Sequence, residues 1–299
     1  MIRCMVCDEL FEDEEFSKLA DHIYQFTESS DPPHIRWLNR NLTNQKVKPR
    51  KLASLLRDYF DVEELGLKKW VKLRFIEKFY GSPAHPFVEA LQHPSRATLL
   101  GYVVEHQHFL RQWVRSCAYI MAKTEFDDVV LYELDNINTE FGGYQGSEAH
   151  YELLLKMGES LGIKKEKLIT MRPLSETVQS IRLWNHIAAN YHWLEAMLAM
   201  HGLELIAHKG LRGEGATKHY FDPGILKTNK ITEATKAFLR EGYEADVQHV
   251  EEALDLIEKY IVTSKSVYLR SVQSTFLKSI EAFDKYLMSR LKRAEQFDS

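Results

Sequence analysis

Apolar side chains recur along most of this chain at the three- and four-residue spacing of amphipathic helices. No stretch alternates apolar and polar residues clearly enough to predict a strand. Proline and glycine residues mark the breaks between the helical stretches. The pattern therefore predicts an all-α protein, with helices at residues 9–29, one or two within 34–66, and then 69–80, 85–92, 96–122, 124–138, 148–162, 175–203, 233–261 and 265–295.

The strength of the helical pattern divides the chain into two parts. Residues 1–66 are predicted to form an N-terminal helical extension, and residues 67–299 a larger helical domain. Within the extension, Asp31-Pro32-Pro33 is predicted to break the chain, so the pair Asp31 and His34 is not expected to be helical. In the larger domain, the glycine-rich polar segment 209–224 is predicted to be a loop or a short helix.

Several acidic and histidine residues occupy positions where the helical pattern predicts apolar ones. They are His150, Glu195, Asp246 and, at the edge of its stripe, His249. A buried carboxylate is costly unless it is paired or bound to a metal. An acid-x-x-His pair on one helix face is typical of di-iron carboxylate bundles. The alternatives are a structural core histidine and a buried ion pair of Glu195 with an arginine such as Arg182.

Composition narrows the function classes. Of the 299 residues, 44% are apolar and 27% are charged, as in an ordinary globular protein. No apolar run reaches the ~18 residues of a membrane span, and the net charge of −4 argues against nucleic-acid binding. No secretory signal is visible, and three cysteines do not make a disulfide framework. The sequence therefore predicts a reducing, cytoplasmic location with no membrane or nucleic-acid partner.

The cysteines offer little chemistry by themselves. Cys4 and Cys7 form a CxxC pair near the N-terminus, but no second pair follows, and a zinc ribbon needs four ligands. The pair is therefore interpreted as incidental. Cys117 lies on the apolar stripe of its helix and is predicted to be a core residue rather than a nucleophile.

Five segments, taken in order, resemble a known family. They are His85-Pro86-Phe87, then GYVVEHQHFLRQW, then NINTEFGG followed by His150 and YELLLKMGESLG, then YHWLEAML, and finally GYEADVQH. This order and spacing resemble the heme-oxygenase-like superfamily, in its TenA/PqqC-like branch, and within that branch the heme-oxygenase-like di-iron oxidases and oxygenases. The resemblance covers residues 68–260 and implies a heme-oxygenase-like helical bundle.

The resemblance also implies a set of metal ligands. Carried over residue by residue, they are Glu140, His150, Glu195, Asp246 and His249. Some members add a carboxylate from the preceding helix, for which Glu105 is the candidate. The family pattern His-x-x-x-Asp-x-x-His has Gly242 in place of its first histidine, so one iron would lose a nitrogen ligand. His106, on the stripe of helix 96–122, is the predicted substitute; a core histidine is the alternative.

These ligand types suit iron(II) or manganese(II). The resemblance implies a non-heme iron enzyme, with a di-iron centre expected and manganese as the alternative metal. Such an enzyme would use dioxygen to oxidise a small organic acid, amino acid or amine. Tyr191 and Tyr243 are the predicted catalytic side chains, and Arg212 and Lys218, with Lys209, the predicted substrate-binding ones. Members of this branch often dimerise, so a homodimer is expected.

Other functions remain open from the sequence. The missing histidine at Gly242 keeps a metal-free, PqqC-like oxidase as an alternative. A TenA-like hydrolase would have Cys117 as its available cysteine. A non-catalytic binding protein with a degenerate metal site is the third alternative. A heme enzyme would need an axial ligand such as His85, but the segment around this residue is common across the superfamily.

Overall fold

The structure is a computed structural model that describes residues 1–12, 16–143, 148–263 and 267–298, without the side chains of 244–248, 262–263 and 267–268. Its described part is almost entirely helical, and the predicted all-α class is confirmed. The helices are α1 (Phe16–Glu28), α2 (Pro32–Asn41), α3 (Pro49–Phe60), α4 (Gly66–Phe79), α5 (Pro86–Gln92), α6 (Arg96–Lys123), α7 (Asp127–Ile137), α8 (His150–Ser160), α9 (Lys165–Thr170), α10 (Ser175–Asn190), α11 (Trp193–His201), α12 (Glu233–Thr263) and α13 (Val267–Ala294).

The strands are short. β1 (Ile2–Arg3) pairs antiparallel with β2 (Leu10–Phe11) to form a hairpin at the N-terminus. Two residues cannot show the alternation that identifies a strand in a sequence, so the pattern analysis could not predict them. Among the described residues, no helix combines the length and the apolarity needed to cross a bilayer.

Helix α2 begins at the two prolines that were expected to interrupt the chain. Pro32 and Pro33 occupy its first positions, and the side chain of Asp31 caps it by accepting from His34 N at 3.1 Å. Proline is tolerated in the first turn because the amide hydrogen it lacks has no partner in the helix there. The prediction that the pair Asp31 and His34 is not helical was therefore wrong, since His34 lies in the first turn of α2 and Asp31 is its cap.

The centre of the bundle is the pair of long helices α6 and α13. They approach closely at Gly101, where a β-carbon would collide with the Arg290 backbone and lie 2.8 Å from Ala294 N. Helices α10 and α11 pack on α13, and α8 packs on α12. The close approach brings residues of α6 next to residues of α13 at the cavity described below.

The predicted helix 175–203 is interrupted. Helix α10 ends at Asn190 and α11 begins at Trp193, after a cap in which the Glu195 side chain accepts from His192 N. A 3₁₀ segment, Gly202–Ala207, continues from α11. Because the helix is interrupted, the apolar face of α11 does not continue the apolar face of α10. The polar residues after the interruption therefore point in other directions than one continuous helix would predict.

Candidate functional site

A cavity lies between α6, α8, α12, α13 and the 3₁₀ segment Gly202–Ala207. Its volume is about 80 Å³, which is room for a few water molecules or a small ligand. Most of its wall is aromatic or aliphatic. The polar residues in its wall are His106, Glu140, His150, Glu204, Tyr102, Tyr220, Tyr243 and Arg290.

Glu140 and His150 form a buried pair on the cavity wall. Glu140 belongs to a π-helical turn, Asn138–Gly142, that continues α7, and His150 is the first residue of α8. Their side chains lie 2.9 Å apart, from Glu140 Oε1 to His150 Nδ1. Both residues are buried. The structure thus brings together two of the metal ligands that the resemblance implies.

A second buried group lies on α7, α11 and the 3₁₀ segment. His201 Nε2 lies 2.8 Å from Glu133 Oε1, and His201 Nδ1 lies 3.0 Å from Glu204 Oε1. Burial opposes the charged form of His201, but the two carboxylates outweigh burial and raise its pKa to about 10. His201 is therefore an imidazolium that donates to a carboxylate from each ring nitrogen. The Tyr132 hydroxyl lies 3.1 Å from His201 Nδ1 and donates to the backbone carbonyl of His249 at 3.1 Å.

Cys117 lies next to both carboxylate groups. Its ligand atom and those of Glu133 and His201 lie within 4.8 Å of one another. Burial raises the pKa of the Cys117 thiol well above its usual value, and the charges of Glu133, Glu204 and Glu140 raise it further. At neutral pH the thiol is protonated, which makes it a poor nucleophile.

Three carboxylate oxygens near the cavity show whether the residues present could hold a metal ion. Glu133 Oε2, Glu140 Oε2 and Glu204 Oε2 are buried and have no hydrogen-bond partner among the described residues. No lysine or arginine of the described chain pairs with these three carboxylates. Buried carboxylates need a compensating cation. A divalent ion bound by carboxylate and imidazole groups fits this donor set.

The other end of the cavity is cationic. Arg290 is fully buried, and its guanidinium donates to the hydroxyls of Tyr220 and Tyr286 at 2.8 Å each and to His106 Nδ1 at 3.0 Å. It also lies over the Tyr102 ring, 4.2 Å from its centroid. In the part of the chain that the structure describes, Arg290 has no carboxylate partner. A buried arginine in a cavity wall without a counter-anion has the charge and the donors to bind an anionic group.

A second group of metal-binding side chains lies in the N-terminal extension. The ligand atoms of Cys4, Cys7, His22 and His34 lie within 4.8 Å of one another. The interpretation of Cys4 and Cys7 as an incidental pair is therefore not supported. Two histidines, 15 and 27 residues after Cys7, complete a set of four.

Comparisons with known proteins identify the fold and the family. The sequence model of the TENA/THI-4/PQQC family matches residues 70–293, which is well over half of the chain. The chain belongs to the TENA/THI-4/PQQC family. The predicted place in the TenA/PqqC-like branch of the heme-oxygenase-like superfamily is confirmed. A model of a C2H2-type zinc finger also matches, over residues 1–61 only. No curated protein matches.

Solved structures resemble this TENA/THI-4/PQQC family member in fold. A domain of unknown function with a heme oxygenase-like fold from Shewanella denitrificans OS217 aligns with a TM-score of 0.58 and 18% identity, over 80% of this chain and 95% of that one. A TenA family transcription regulator from Silicibacter sp. TM1040 aligns with a TM-score of 0.55 and 15% identity, over 80% and 96%. A TenA homolog from Pseudomonas syringae pv. tomato DC3000 gives 0.54 and 15%, over 80% and 92%.

Three predicted site residues of this family member lie away from the cavity. Glu195 accepts from Ser271 Oγ at 2.5 Å, Thr275 Oγ1 at 2.9 Å and the Arg3 guanidinium at 3.3 Å. Glu105 pairs with Arg293 at 2.7 Å. The Tyr191 hydroxyl donates to Asp8. The structure therefore does not bring Glu195, Glu105 or Tyr191 to Glu140 and His150; Glu204 and Glu133, which the sequence does not single out, are the carboxylates nearby.

His106 lines the cavity but does not offer its Nδ1 to a metal. Burial lowers its pKa well below the usual value, and the charges of Arg290 and His150 lower it further, so the ring is neutral. Because Nδ1 accepts from Arg290, the ring hydrogen is on Nε2. His106 is thus a hydrogen-bond donor toward the cavity, an arrangement that does not favour its predicted role as a substitute iron ligand.

Helix α12 passes along the cavity with the motif that contains Gly242. Gly242 and Tyr243 line the wall, and the Tyr243 hydroxyl lies 3.0 Å from His219 Nδ1. His249 is partly buried, and its backbone carbonyl binds Tyr132 as described above. The side chain of Asp246 lies outside the described residues, so its role as a ligand stays a prediction.

The predicted substrate-binding residues are engaged elsewhere. Arg212 donates to the backbone carbonyl of Ala216 at 2.5 Å, and Lys218 pairs with Glu89. Lys209 lies 5.8 Å from the centroid of the Tyr243 ring and is not part of the wall. The cation that the structure places in the cavity is Arg290, which the periodicity of the sequence does not distinguish from Arg270 and Arg293, the other arginines of α13.

Proposed function

We propose that this chain is a non-heme metal enzyme, with iron as its metal and manganese as the alternative, that oxidises a small carboxylic acid with dioxygen. The observation that carries the proposal is the set of three buried carboxylate oxygens, on Glu133, Glu140 and Glu204, that have no hydrogen-bond partner among the described residues. Bound iron(II) would supply the reactivity toward dioxygen that no side chain in the cavity has. The specific resemblance of the sequence to di-iron oxidases supports the same conclusion.

The residues that would hold the metal come from four elements of the bundle. They are Glu133 on α7 with Glu140 in the π-helical turn that continues it, His150 on α8, His201 at the end of α11 with Glu204 in the 3₁₀ segment that follows, and the predicted ligands Asp246 and His249 on α12. In this proposal, metal binding displaces one proton from the His201 imidazolium, and the neutral ring then supplies the imidazole that Gly242 lacks. Oxygen-rich donor sets with a few imidazoles favour iron(II) and manganese(II) over softer metals.

The rest of the cavity would bind and orient the substrate. Arg290, with Tyr220, offers hydrogen-bond donors for a carboxylate, and neutral His106 offers the hydrogen on Nε2. Aromatic residues such as Phe238 and Phe109 cover the space between this end and the carboxylates. An apolar wall excludes water and strengthens both charged ends. A small organic acid fits this arrangement better than an amine.

Two alternatives differ in what they require. A TenA-like hydrolase with a cysteine nucleophile is disfavoured, because the Cys117 thiol is protonated and surrounded by carboxylates. A metal-free oxidase is favoured by the Arg290 and His106 group, which binds anions without a metal. Both would act in the same cavity. The free thiols of Cys4, Cys7 and Cys117 suit a reducing, cytoplasmic compartment.

The test is anaerobic iron loading of the full-length chain, followed by counting iron and measuring dioxygen consumption with a panel of small carboxylic acids and amino acids. We expect iron to bind, and dioxygen consumption to require both iron and a carboxylate. Glu140→Gln should lose both, because it removes a ligand and a partner of His150. Dioxygen consumption by iron-free protein would refute the metal proposal and favour the metal-free oxidase. Hydrolysis without dioxygen would favour the TenA-like reaction.

A further inference from the structure

The N-terminal hairpin and the first two helices bring together four side chains with the chemistry of a zinc site. Cys4 Sγ lies 3.5 Å from His34 Nε2, and Cys7 Sγ lies 3.2 Å from His22 Nε2. A tetrahedral zinc ion with Zn–S bonds of ~2.3 Å and Zn–N bonds of ~2.0 Å holds its ligand atoms about 3.3–3.8 Å apart. The two distances are therefore close to those that a single ion requires.

Both histidines present the same nitrogen to the cysteines. His34 Nδ1 lies 2.6 Å from Asp31 Oδ2, and His22 Nδ1 lies 3.1 Å from Glu9 Oε2. A carboxylate on Nδ1 fixes the tautomer and the orientation of a metal-binding imidazole, and it increases the basicity of Nε2. Each ring thus has its carboxylate on one side and a cysteine sulfur on the other, as in a metal site with its supporting residues.

The backbone around the cysteines has the shape of a metal-binding turn. Cys4 N donates to Glu9 O at 2.8 Å and Asp8 N donates to Cys4 O at 3.0 Å, so the chain between β1 and β2 folds back on itself. Asp8 adopts the left-handed region, with φ 73°, where aspartate is tolerated better than most residues. This turn directs both sulfurs toward α1 and α2.

The surroundings protect the four ligands. Cys4, His22 and His34 are buried, whereas Cys7 is exposed. The Phe26 ring stacks on the His34 ring with centroids 4.2 Å apart, and Phe11 contacts the edge of His22 at 5.1 Å. No disulfide joins the cysteines. A cluster of two thiols and two imidazoles in an apolar shell is typical of a structural zinc ion.

We propose that Cys4, Cys7, His22 and His34 bind one zinc ion that attaches the N-terminal extension to the helical bundle. Four protein ligands leave no position for a substrate, so the role of the ion is structural. The similarity of residues 1–61 to a C2H2-type zinc-finger model agrees with two cysteine and two histidine ligands, but it does not say what the site does for this chain. The proposal is independent of the function proposed for the cavity.

The residues beside the cysteines show how the ion acts on the bundle. Arg3, next to Cys4, pairs with Glu195 at 3.3 Å, lies over the Tyr191 ring with its guanidinium 4.0 Å from the centroid, and donates its backbone hydrogen to Ser274 Oγ at 3.2 Å. Asp8, next to Cys7, lies 2.8 Å from Lys278 Nζ. Fixing the turn therefore fixes contacts with α13 and with the junction of α10 and α11.

Zinc content and cobalt spectroscopy of the full-length chain test the proposal. We expect one zinc ion per chain after purification and dialysis. Cobalt(II) in its place should give sulfur-to-cobalt charge-transfer absorption in the near ultraviolet. Cys7→Ser should abolish that absorption and the bound zinc, whereas Cys117→Ser, the matched thiol control, should keep both. Asp31→Asn should keep the site but lower zinc affinity about 10–100-fold.

Thiol modification of the wild-type chain provides a test that needs no variant. A mercurial reagent that reacts with Cys4 and Cys7 should release one zinc ion, measured with a colorimetric chelator, and should lower the melting temperature. The proposal is overturned if the purified chain contains no zinc and takes up no cobalt with thiolate absorption. Loss of that absorption in Cys117→Ser, with Cys7→Ser unchanged, would equally refute it by assigning the thiolate to the cavity.

Discussion

Two glutamates nine residues apart, the buried Glu195 and the partly buried Glu204, are expected to have opposite roles. Sequence periodicity predicts Glu195 as a metal ligand, whereas the structure places Glu204 on the cavity wall beside His201. We therefore compare Glu204→Gln with Glu195→Gln, which make the same chemical change in adjacent elements. The first should impair metal binding with little effect on the metal-free fold, and the second should do the reverse.

The contacts of each residue give the magnitudes. Glu195 accepts from Ser271, Thr275 and Arg3, and loss of one partner of a buried ion pair costs about 3–5 kcal/mol. Glutamine keeps one acceptor oxygen, so we expect about 3 kcal/mol. For 299 residues the unfolding entropy is about 0.6 kcal/mol/K, which converts this loss to a Tm about 5 °C lower.

Glu204 makes few contacts that its neutral form would lose. One oxygen binds His201, which keeps Glu133 as its partner, and the other has no partner among the described residues. Glu204→Gln should therefore change the Tm of the metal-free protein by less than about 2 °C. In wild type, a metal at 100 times its Kd should add about 2.7 kcal/mol, or about 4 °C. A 100-fold weaker site in the variant should leave less than about 1 °C of this shift.

The assay is thermal unfolding of each protein with and without manganese(II), which does not oxidise during heating. Manganese also binds thiolates weakly, so the N-terminal cluster should contribute little to the shift. The reasoning is refuted if Glu204→Gln keeps the full metal-induced shift. It is also refuted if Glu195→Gln loses that shift while its metal-free Tm stays at the wild-type value.

Four further changes test other parts of the structure. Burial opposes the charged form of Asp284, but His85, Lys78 and Arg40 outweigh burial and lower the pKa of Asp284 from 3.8 to about 2. Asp284→Asn should therefore lower the free energy of unfolding, measured in urea at pH 7, by about 2 kcal/mol. This difference between wild type and variant should disappear as the pH falls from about 4 to 2. Gly101→Ala should destabilise the protein by about 3 kcal/mol, because the added carbon meets the backbone of α13; a smaller loss than about 1 kcal/mol would contradict the close approach. Arg290→Gln should raise the KM for a carboxylate substrate about 100-fold and leave iron stoichiometry unchanged; an unchanged KM would remove Arg290 from the substrate site. Gly242→His should raise the amount of iron bound, measured by anaerobic titration, and an unchanged amount would show that the missing imidazole does not limit the site.

Helical periodicity is sufficient to predict most of the fold, because each helix buries one continuous apolar face. It fails for the carboxylates of the proposed metal site where the helix is interrupted. The interruption between α10 and α11 changes the phase of the stripe, so a face drawn through 178–203 selects Glu195. Glu204 follows in a 3₁₀ segment beyond the end of that face. The family resemblance also led to Glu195, since it too relied on local sequence.

The sequence gives weaker indications of the other residues of the two sites. Glu133 lies on the buried face of α7 with Val129 and Tyr132, a pattern that the same stripe analysis would detect. Glu140 is at the rim of a regular helix, and only the π-helical turn explains its burial. The partners of Cys4 and Cys7 are two single histidines, far apart in sequence, which no short motif connects. Their proximity depends on the packing of α1 and α2 against the hairpin.

The contact of α6 with α13 at Gly101 limits which cavity residues can be changed to alter the range of ligands that the cavity accepts. His106 and Arg290 lie on these two helices, and backbone contact leaves the helices little freedom to separate. The anion-binding wall should therefore tolerate few substitutions. Phe221 and Tyr243, on the segment before α12 and on α12 itself, line the cavity without such a contact. Libraries aimed at longer or bulkier acids should diversify these two positions and keep Gly101 constant.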